Sequence, residues 1–218
     1  MRVLFKPGLA ALSKPRCGST SLRRMLTPHM QGGDIKCDRA NDPPPLHPHI
    51  TAPYLRKVLS EEGYDSTALT YIITIRHPVE LLWSYWKFFK PDSSGRYFFS
   101  SGWTGEDIMP YEDWVINGRL SMKPSWLALA PEWVSPRDLS TLSLEARAMN
   151  RDGSWAIDRI FKLEEIEVLA DFLSERLGCE ILHRHVNASV SADMPRLGKH
   201  AIECIRRMFP YETNEYNV

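Results

Sequence analysis

Apolar positions fall along this chain in short runs broken by turn residues, and two of the runs share one arrangement. Leu9-Ala10-Ala11-Leu12 is a short apolar run that gives way through Ser13 to Lys14-Pro15-Arg16-Cys17-Gly18, then to Ser19-Thr20-Ser21, residue types that open helices. Leu69-Thr70-Tyr71-Ile72-Ile73-Thr74-Ile75 is a β-branched run of strand length that ends at Arg76. Pro78 then starts a helix carrying Leu81, Leu82, Ser84, Tyr85, Phe88 and Phe89. Strand, turn and helix recur, which predicts an α/β fold with a central parallel sheet flanked by helices.

The same reading predicts the rest of the chain in outline. The first helix ends before Pro28, and Asp42-Pro43-Pro44-Pro45 makes an extended connection that delivers His47-Pro48-His49. Thr51 or Ala52 opens a helix with Pro53 in its first turn, closed by Gly63. Residues 110–117 form a short helix with Gly118 as its cap, and Met122 to Asp152 shows no clear period. Trp155 to Lys162 reads as a late strand and Glu164 to Leu177 as an amphipathic helix ended by Gly178. Leu197, Ala201, Ile202, Ile205 and Met208 keep helical spacing until Pro210 stops it. Eleven of the 23 aromatic residues lie between Trp83 and Trp114, around Ser93-Ser94-Gly95 and Ser100-Ser101-Gly102, so an aromatic-rich insertion is expected there. It either walls a ring-bearing acceptor or packs over one flank of the sheet.

Composition narrows the class. A chain of 218 residues, 43% hydrophobic and 25% charged, suits one well-buried domain, and no internal repeat divides it. No apolar run nears the roughly 20 residues of a membrane helix. The first eight residues lack the apolar stretch and cleavage site of a signal peptide. The four cysteines Cys17, Cys37, Cys179 and Cys204 show no C-x-x-C spacing, so neither a zinc ribbon nor a disulfide framework is indicated. A soluble chain in a reducing cytoplasm is expected, with no nucleic-acid partner; the pattern leaves the oligomeric state open.

Although the formal net charge is zero, Lys14, Arg16, Arg23 and Arg24 surround the first turn with no Asp or Glu among them. A strand that ends in a Gly-containing turn and opens a helix leaves backbone N–H groups unpaired at the positive end of the helix dipole, where anions bind. A phosphate or sulfate ester is therefore the expected ligand. The nucleotide P-loop G-x-x-x-x-G-K-[ST] fails, since Ser19 follows Gly18, and the three-glycine dinucleotide fingerprint finds one glycine.

A second basic site follows from Arg76 at the carboxyl end of the best strand, where open α/β sheets bind ligands. Ser84, about two turns into the next helix, can face the same crevice, and a guanidinium fork with a hydroxyl suits a phosphate monoester.

Pro15-Arg16-Cys17-Gly18-Ser19-Thr20 and Arg76-His77-Pro78-Val79-Glu80-Leu81-Leu82-Trp83-Ser84-Tyr85 together resemble the two signatures of sulfotransferases that use 3′-phosphoadenosine 5′-phosphosulfate (PAPS), in the family's order and separation. Asp158 to Glu165 is similar to the family's strand followed by E-[DE]-[LI], and His185-Val186-Asn187-Ala188-Ser189 to an H-x-N-x-S element. Arg16 stands where many members have Lys, and Leu81 where another Arg is frequent. The resemblance implies the sulfotransferase fold with a P-loop-like phosphosulfate loop. It also implies transfer of a sulfuryl group from PAPS to an acceptor hydroxyl, on a carbohydrate or another small molecule, without a metal.

On that reading Cys17, Gly18, Ser19, Thr20, Ser21 and Leu22 cradle the phosphosulfate, while Arg16 stabilises the leaving oxygen with help from Lys14. Arg76 and Ser84 hold the 3′-phosphate. His47-Pro48-His49 resembles the H-x-H base of uronyl-type heparan sulfotransferases, with His49 slightly preferred over His47; a metal pair and plain loop histidines remain alternatives. His183, His185 and Glu106 are the outside candidates for the base. Two other functional classes stay open: a non-catalytic nucleotide-binding or scaffold protein, and a small-molecule kinase, although no Walker lysine follows Gly18.

Overall fold

The repeated strand–turn–helix pattern becomes the middle of a sheet. The structure, a computed structural model, describes residues 1–38, 45–89, 109–120, 138–183 and 194–218. The insertion over 90–108 with Glu106, residues 122–137 of the aperiodic stretch, and the His185 to Ser189 element lie outside the described residues. Strands β1 (Arg2–Leu4), β2 (Leu9–Ser13), β3 (Ile35–Lys36), β4 (Thr70–Ile75) and β5 (Arg159–Lys162) form one sheet in the order β3-β1-β2-β4-β5. The expected parallel core is β2, β4 and β5, with Ser13 beside Thr74 and Ile75 beside Lys162.

The sheet is mixed rather than wholly parallel, because β1 runs antiparallel to β2 and to β3. The reversal is made by the tight turn between Phe5 and Gly8. Gly8 N–H donates to the Phe5 carbonyl at 3.1 Å, and Gly8 takes a positive φ of 65° with the Ala68 carbonyl oxygen 2.8 Å from where a Cβ would stand. Three residues are too few for a periodic signal, which is why β1 was not legible.

Strand periodicity sorts the side chains onto two faces. Leu9, Ala11, Ile72 and Phe161 meet α1 (Ser19–Leu26) and α6 (Ile166–Leu177), which contribute Leu22, Leu26, Leu169 and Leu173. Ala10, Leu12, Tyr71, Ile73 and Ile75 meet α2 (Ala52–Glu61) and α5 (Leu144–Ala148). Burial on both faces explains why these strands read as continuous apolar runs. The short α5 is absent from the sequence expectation; Ser143 caps it by accepting from the Ala146 N–H.

A third buried cluster lies beside the first turn. It joins Cys17 to α3 (Pro78–Phe89), α4 (Tyr111–Asn117) and α7 (Lys199–Met208). Tyr85, Trp86, Tyr111 and Trp114 are all buried here, and Tyr85 stacks on Trp114 with centroids 6.3 Å apart. These four aromatics are packing, each contributing roughly 1.5–3 kcal/mol or more through burial, and they do not wall a ligand. Pro210 ends α7 as the sequence suggests and also begins α8 (Pro210–Glu215). The late strand starts four residues later than its apolar pattern because Trp155 and Ala156 pair with Met149 and Ala148 instead of with β4. Asp158 then joins β4, its N–H donating to the Tyr71 carbonyl at 2.8 Å and its side chain accepting from the Tyr71 N–H at 2.6 Å. Among the described residues no helix is long and apolar enough to cross a membrane.

Gly18 is the hinge of the first turn. It sits at φ 74°, and a Cβ there would lie 2.4 Å from Leu163 Cδ1. Gly18→Ala is expected to cost about 1–3 kcal/mol, from the left-handed backbone and the displaced leucine. Leu163→Ala should return the steric share, so a double-mutant cycle by urea denaturation should be less than additive. Fully additive losses would show that the two residues do not press on one another.

Candidate functional site

The first turn leaves a defined set of amides open. Cys17 N–H donates to the Lys14 carbonyl at 3.2 Å and Leu22 N–H to the Gly18 carbonyl at 3.0 Å. The amides of Gly18, Ser19, Thr20 and Ser21 have no acceptor among the described residues, and no side chain caps the helix. The expected cradle of residues 17 to 22 thus narrows to four consecutive N–H groups at the start of α1. The turn is tied to the sheet by Thr74, whose hydroxyl donates to the Cys17 carbonyl at 2.6 Å. Burial pushes the Cys17 thiol up to about 11, so it stays protonated at neutral pH.

Arg16 carries the unusual backbone of the turn, with φ 63°. Its Nε donates to Ser84 Oγ at 3.1 Å and its guanidinium lies 4.1 Å from the centre of the Phe88 ring. The first basic motif therefore touches the second directly, through two residues one turn apart on α3. Burial first, and neighbouring Arg76 second, pull Arg16 below the ordinary guanidinium range. Two cations held together in a partly desolvated turn repel one another, and a shared anion relieves that cost.

Arg76 lies at the carboxyl end of β4, only 12% exposed, and pairs with Glu80 of α3 at 3.1 Å. Ser84 Oγ accepts from Arg16 Nε through one lone pair, so the two groups expected at a 3′-phosphate both have protein partners in this state. Lys14 is placed differently from the expectation that it assists chemistry. Its side chain is completely buried and forms an ion pair with Glu212 of α8, whose carboxyl is raised by burial against the pull of the lysine.

The histidine pair is brought to the same end of the sheet. His49 Nδ1 is 3.1 Å from the carbonyl of Ser13, the residue before Lys14, and the His49 backbone N–H donates to His47 Nδ1 at 3.0 Å. A carbonyl only accepts, so His49 carries its proton on Nδ1 and keeps an acceptor lone pair on Nε2. His47 has the opposite tautomer, its Nδ1 lone pair already used. Burial, then the buried Arg147 guanidinium, holds His47 at about 4; burial likewise takes His49 to about 3, with the Ser13 bond opposing. The near-neutral value expected of an exposed loop histidine does not apply to either. Of the outside candidates, His183 pairs with Glu167 of α6 at 3.1 Å, while His185 and Glu106 are not among the described residues.

Three groups at this end escaped the sequence reading. Arg147 is completely buried on α5 near the histidines; burial lowers it to about 10. Glu212 closes on Lys14 from 198 residues away. Glu164, two residues past the end of β5, accepts from the His77 backbone N–H at 3.0 Å. Only Glu164 and His77 had a local signal, since both lie inside segments singled out by their pattern. Among the described residues no group of three or more His, Cys, Asp and Glu side chains is arranged to hold a metal ion.

Comparison of the chain with protein-family models and with curated proteins finds no match. The functional reading therefore rests on the turn itself: four open amides, two converging arginines, a serine between the motifs and a histidine with one free lone pair.

Proposed function

We propose that this chain is a PAPS-dependent sulfotransferase, with a P-loop-like phosphosulfate loop on the α/β fold described above. The single observation that carries the reading is the Arg16 to Ser84 hydrogen bond, which joins the two motifs beside four open amides and a second guanidinium. That donor set fits a ligand with anionic groups at both ends of its ribose.

PAPS supplies the sulfuryl group when bound; the amides of residues 18–21, the hydroxyls of Ser19, Thr20 and Ser21, and Arg16 would hold its phosphosulfate, and Arg76 with Ser84 its 3′-phosphate. The protein's own work is positioning and charge stabilisation, as in phosphoryl transfer. Arg16 faces the charge that grows on the leaving oxygen. His49 accepts the acceptor's proton at Nε2, and His47 orients it through the backbone. Lys14 serves by fixing the base of the turn to α8. The acceptor is a hydroxyl, on a carbohydrate by the resemblance of the motifs.

The reading is tested by binding and turnover together. Wild type is expected to bind 3′-phosphoadenosine 5′-phosphate and to transfer label from PAPS to at least one acceptor in a carbohydrate and small-molecule screen. Arg76→Ala should weaken 3′-phosphoadenosine 5′-phosphate by roughly tenfold or more, the scale of a charged hydrogen bond, yet leave adenosine 5′-phosphosulfate nearly unchanged. Equal losses for both ligands would remove Arg76 from the 3′-phosphate. Binding without transfer to any acceptor would favour the scaffold protein.

A further inference from the structure

We infer that Glu164 is a positioning residue that, bracketed by His77 and Tyr216, fixes the Arg76 turn for recognition of the donor's 3′-phosphate; this rests on the sulfotransferase reading above. Three chain segments meet on this one carboxylate. Oε1 accepts from the His77 backbone N–H at 3.0 Å, and Oε2 accepts from the Tyr216 hydroxyl at 2.5 Å. The His77 ring closes the bracket edge-on against Tyr216, with centroids 5.3 Å apart.

The His77 N–H belongs to the peptide unit that follows Arg76. A hydrogen bond there holds that peptide plane, and with it the ψ angle of Arg76 and the direction in which its side chain leaves β4. The carbonyl of the same residue, in the next peptide unit, accepts from Leu81 N–H at 2.8 Å, so His77 also starts α3, the helix that carries Ser84 to Arg16. A carboxylate beside the first amides of a helix is favoured by the dipole as well. The side chain of Arg76 is steered separately, by Glu80. The residue before Glu164, Leu163, abuts Gly18, so the β5–α6 turn buttresses both motifs at once. Tyr216 is itself held, under the Lys162 ammonium at 5.1 Å from its ring centre, while Lys162 Nζ donates to the Glu215 carbonyl at 3.2 Å.

The bracket works by geometry, so a neutral isostere should serve. In Glu164→Gln the amide oxygen accepts from His77 and the amide N–H donates to the Tyr216 oxygen, whose hydrogen turns away. Both bonds lie at the exposed rim, so Glu164→Ala leaves no buried orphan and the chain should fold.

The experiment is calorimetric titration with 3′-phosphoadenosine 5′-phosphate and with adenosine 5′-phosphosulfate. Wild type is expected to prefer the 3′-phosphorylated ligand. Glu164→Ala should lose about tenfold in its affinity while adenosine 5′-phosphosulfate stays within about twofold, and Tyr216→Phe should lose less. Glu164→Gln should keep the preference. A Glu164→Ala protein with the full preference overturns the inference while leaving the sulfotransferase reading intact. A Gln variant as damaged as the Ala variant also overturns it, in favour of a charge role. If wild type shows no preference, the assignment of Arg76 fails and the inference fails with it.

Discussion

Arg16→Ala is expected to lower the kcat of sulfuryl transfer by about 10²–10³-fold, the scale of removing one preorganised transition-state donor, while the donor Kd rises far less. The guanidinium is fixed from three directions before any ligand arrives: a left-handed backbone at φ 63°, the Nε bond to Ser84 and the Phe88 ring beneath it. Its Nε is thereby committed, so the group meets a ligand through its outer nitrogens without having to be ordered during the reaction. Burial and Arg76 disfavour its charge in the resting site, and a transition state that concentrates negative charge on the leaving oxygen relieves this more than a diffuse ground state does. Arg16→Lys should recover part of the rate, since charge remains but the fork and the stacking do not. Single-turnover rates beside calorimetric donor affinities separate the two effects. Unchanged kcat with weakened donor binding would make Arg16 a ground-state clamp.

The second large effect is expected at His49. His49→Ala should reduce kcat by roughly 10²-fold or more while donor binding persists, and His47→Ala should cost less, since its Nδ1 lone pair already accepts from the His49 amide. The pH profile distinguishes this from a structural loss. With His49 held at about 3, the imidazole is neutral throughout the ordinary working range. The kcat/KM of wild type should therefore be flat from about pH 5.5 to 7.5 and should not rise through neutrality as an exposed histidine would make it. A rise through neutrality would place the base elsewhere.

The same shifts make acid destabilising. Both histidines ionise in the folded chain at about 4 and about 3, below the ordinary value of 6.5, so the unfolded chain takes up protons first as pH falls. Stability is whole above pH 6.5 and declines below it, by at most ~1.4 kcal/mol per pH unit for each histidine until the folded values are reached. Urea denaturation at pH 7 and pH 5 should show this loss, and it should shrink in His47→Ala.

Much of the site was legible because its parts are local. The turn from β2 into α1 and the turn from β4 into α3 are each written within about 16 consecutive residues, where an apolar run, a breaker and a helix opening must follow one another for the backbone to turn at all. The caps at Gly118 and Gly178 were equally readable, because a helix ends where a left-handed residue is cheapest. Pattern alone therefore determined an α/β chain with two basic turns at strand ends and a histidine pair just before a helix. The Asp42 to Pro44 part of the expected extended connection lies outside the described residues, and the pair itself sits in a turn closed by Ile50 N–H donating to the His47 carbonyl at 3.1 Å.

What the pattern could not supply is who meets whom. Lys14 carries the same charge as Arg16 two residues away, yet the sheet's end buries one against Glu212 and leaves the other on Ser84, because only the three-dimensional path of α8 brings a carboxylate under the turn. His49 reads as a titrating loop residue until the Ser13 carbonyl fixes its tautomer and burial removes its charge. The aromatic residues of α3 and α4 read as packing more readily than as a ligand wall, and enclosure against α7 decided for packing at Tyr85, Trp86, Tyr111 and Trp114. Glu164 and Tyr216, 52 residues apart, share a bond that no local preference encodes. Sequence fixes propensity over a few residues, whereas burial, tautomer and ion pairing depend on the field and the partners that distant segments bring, and these exist only once the chain has closed.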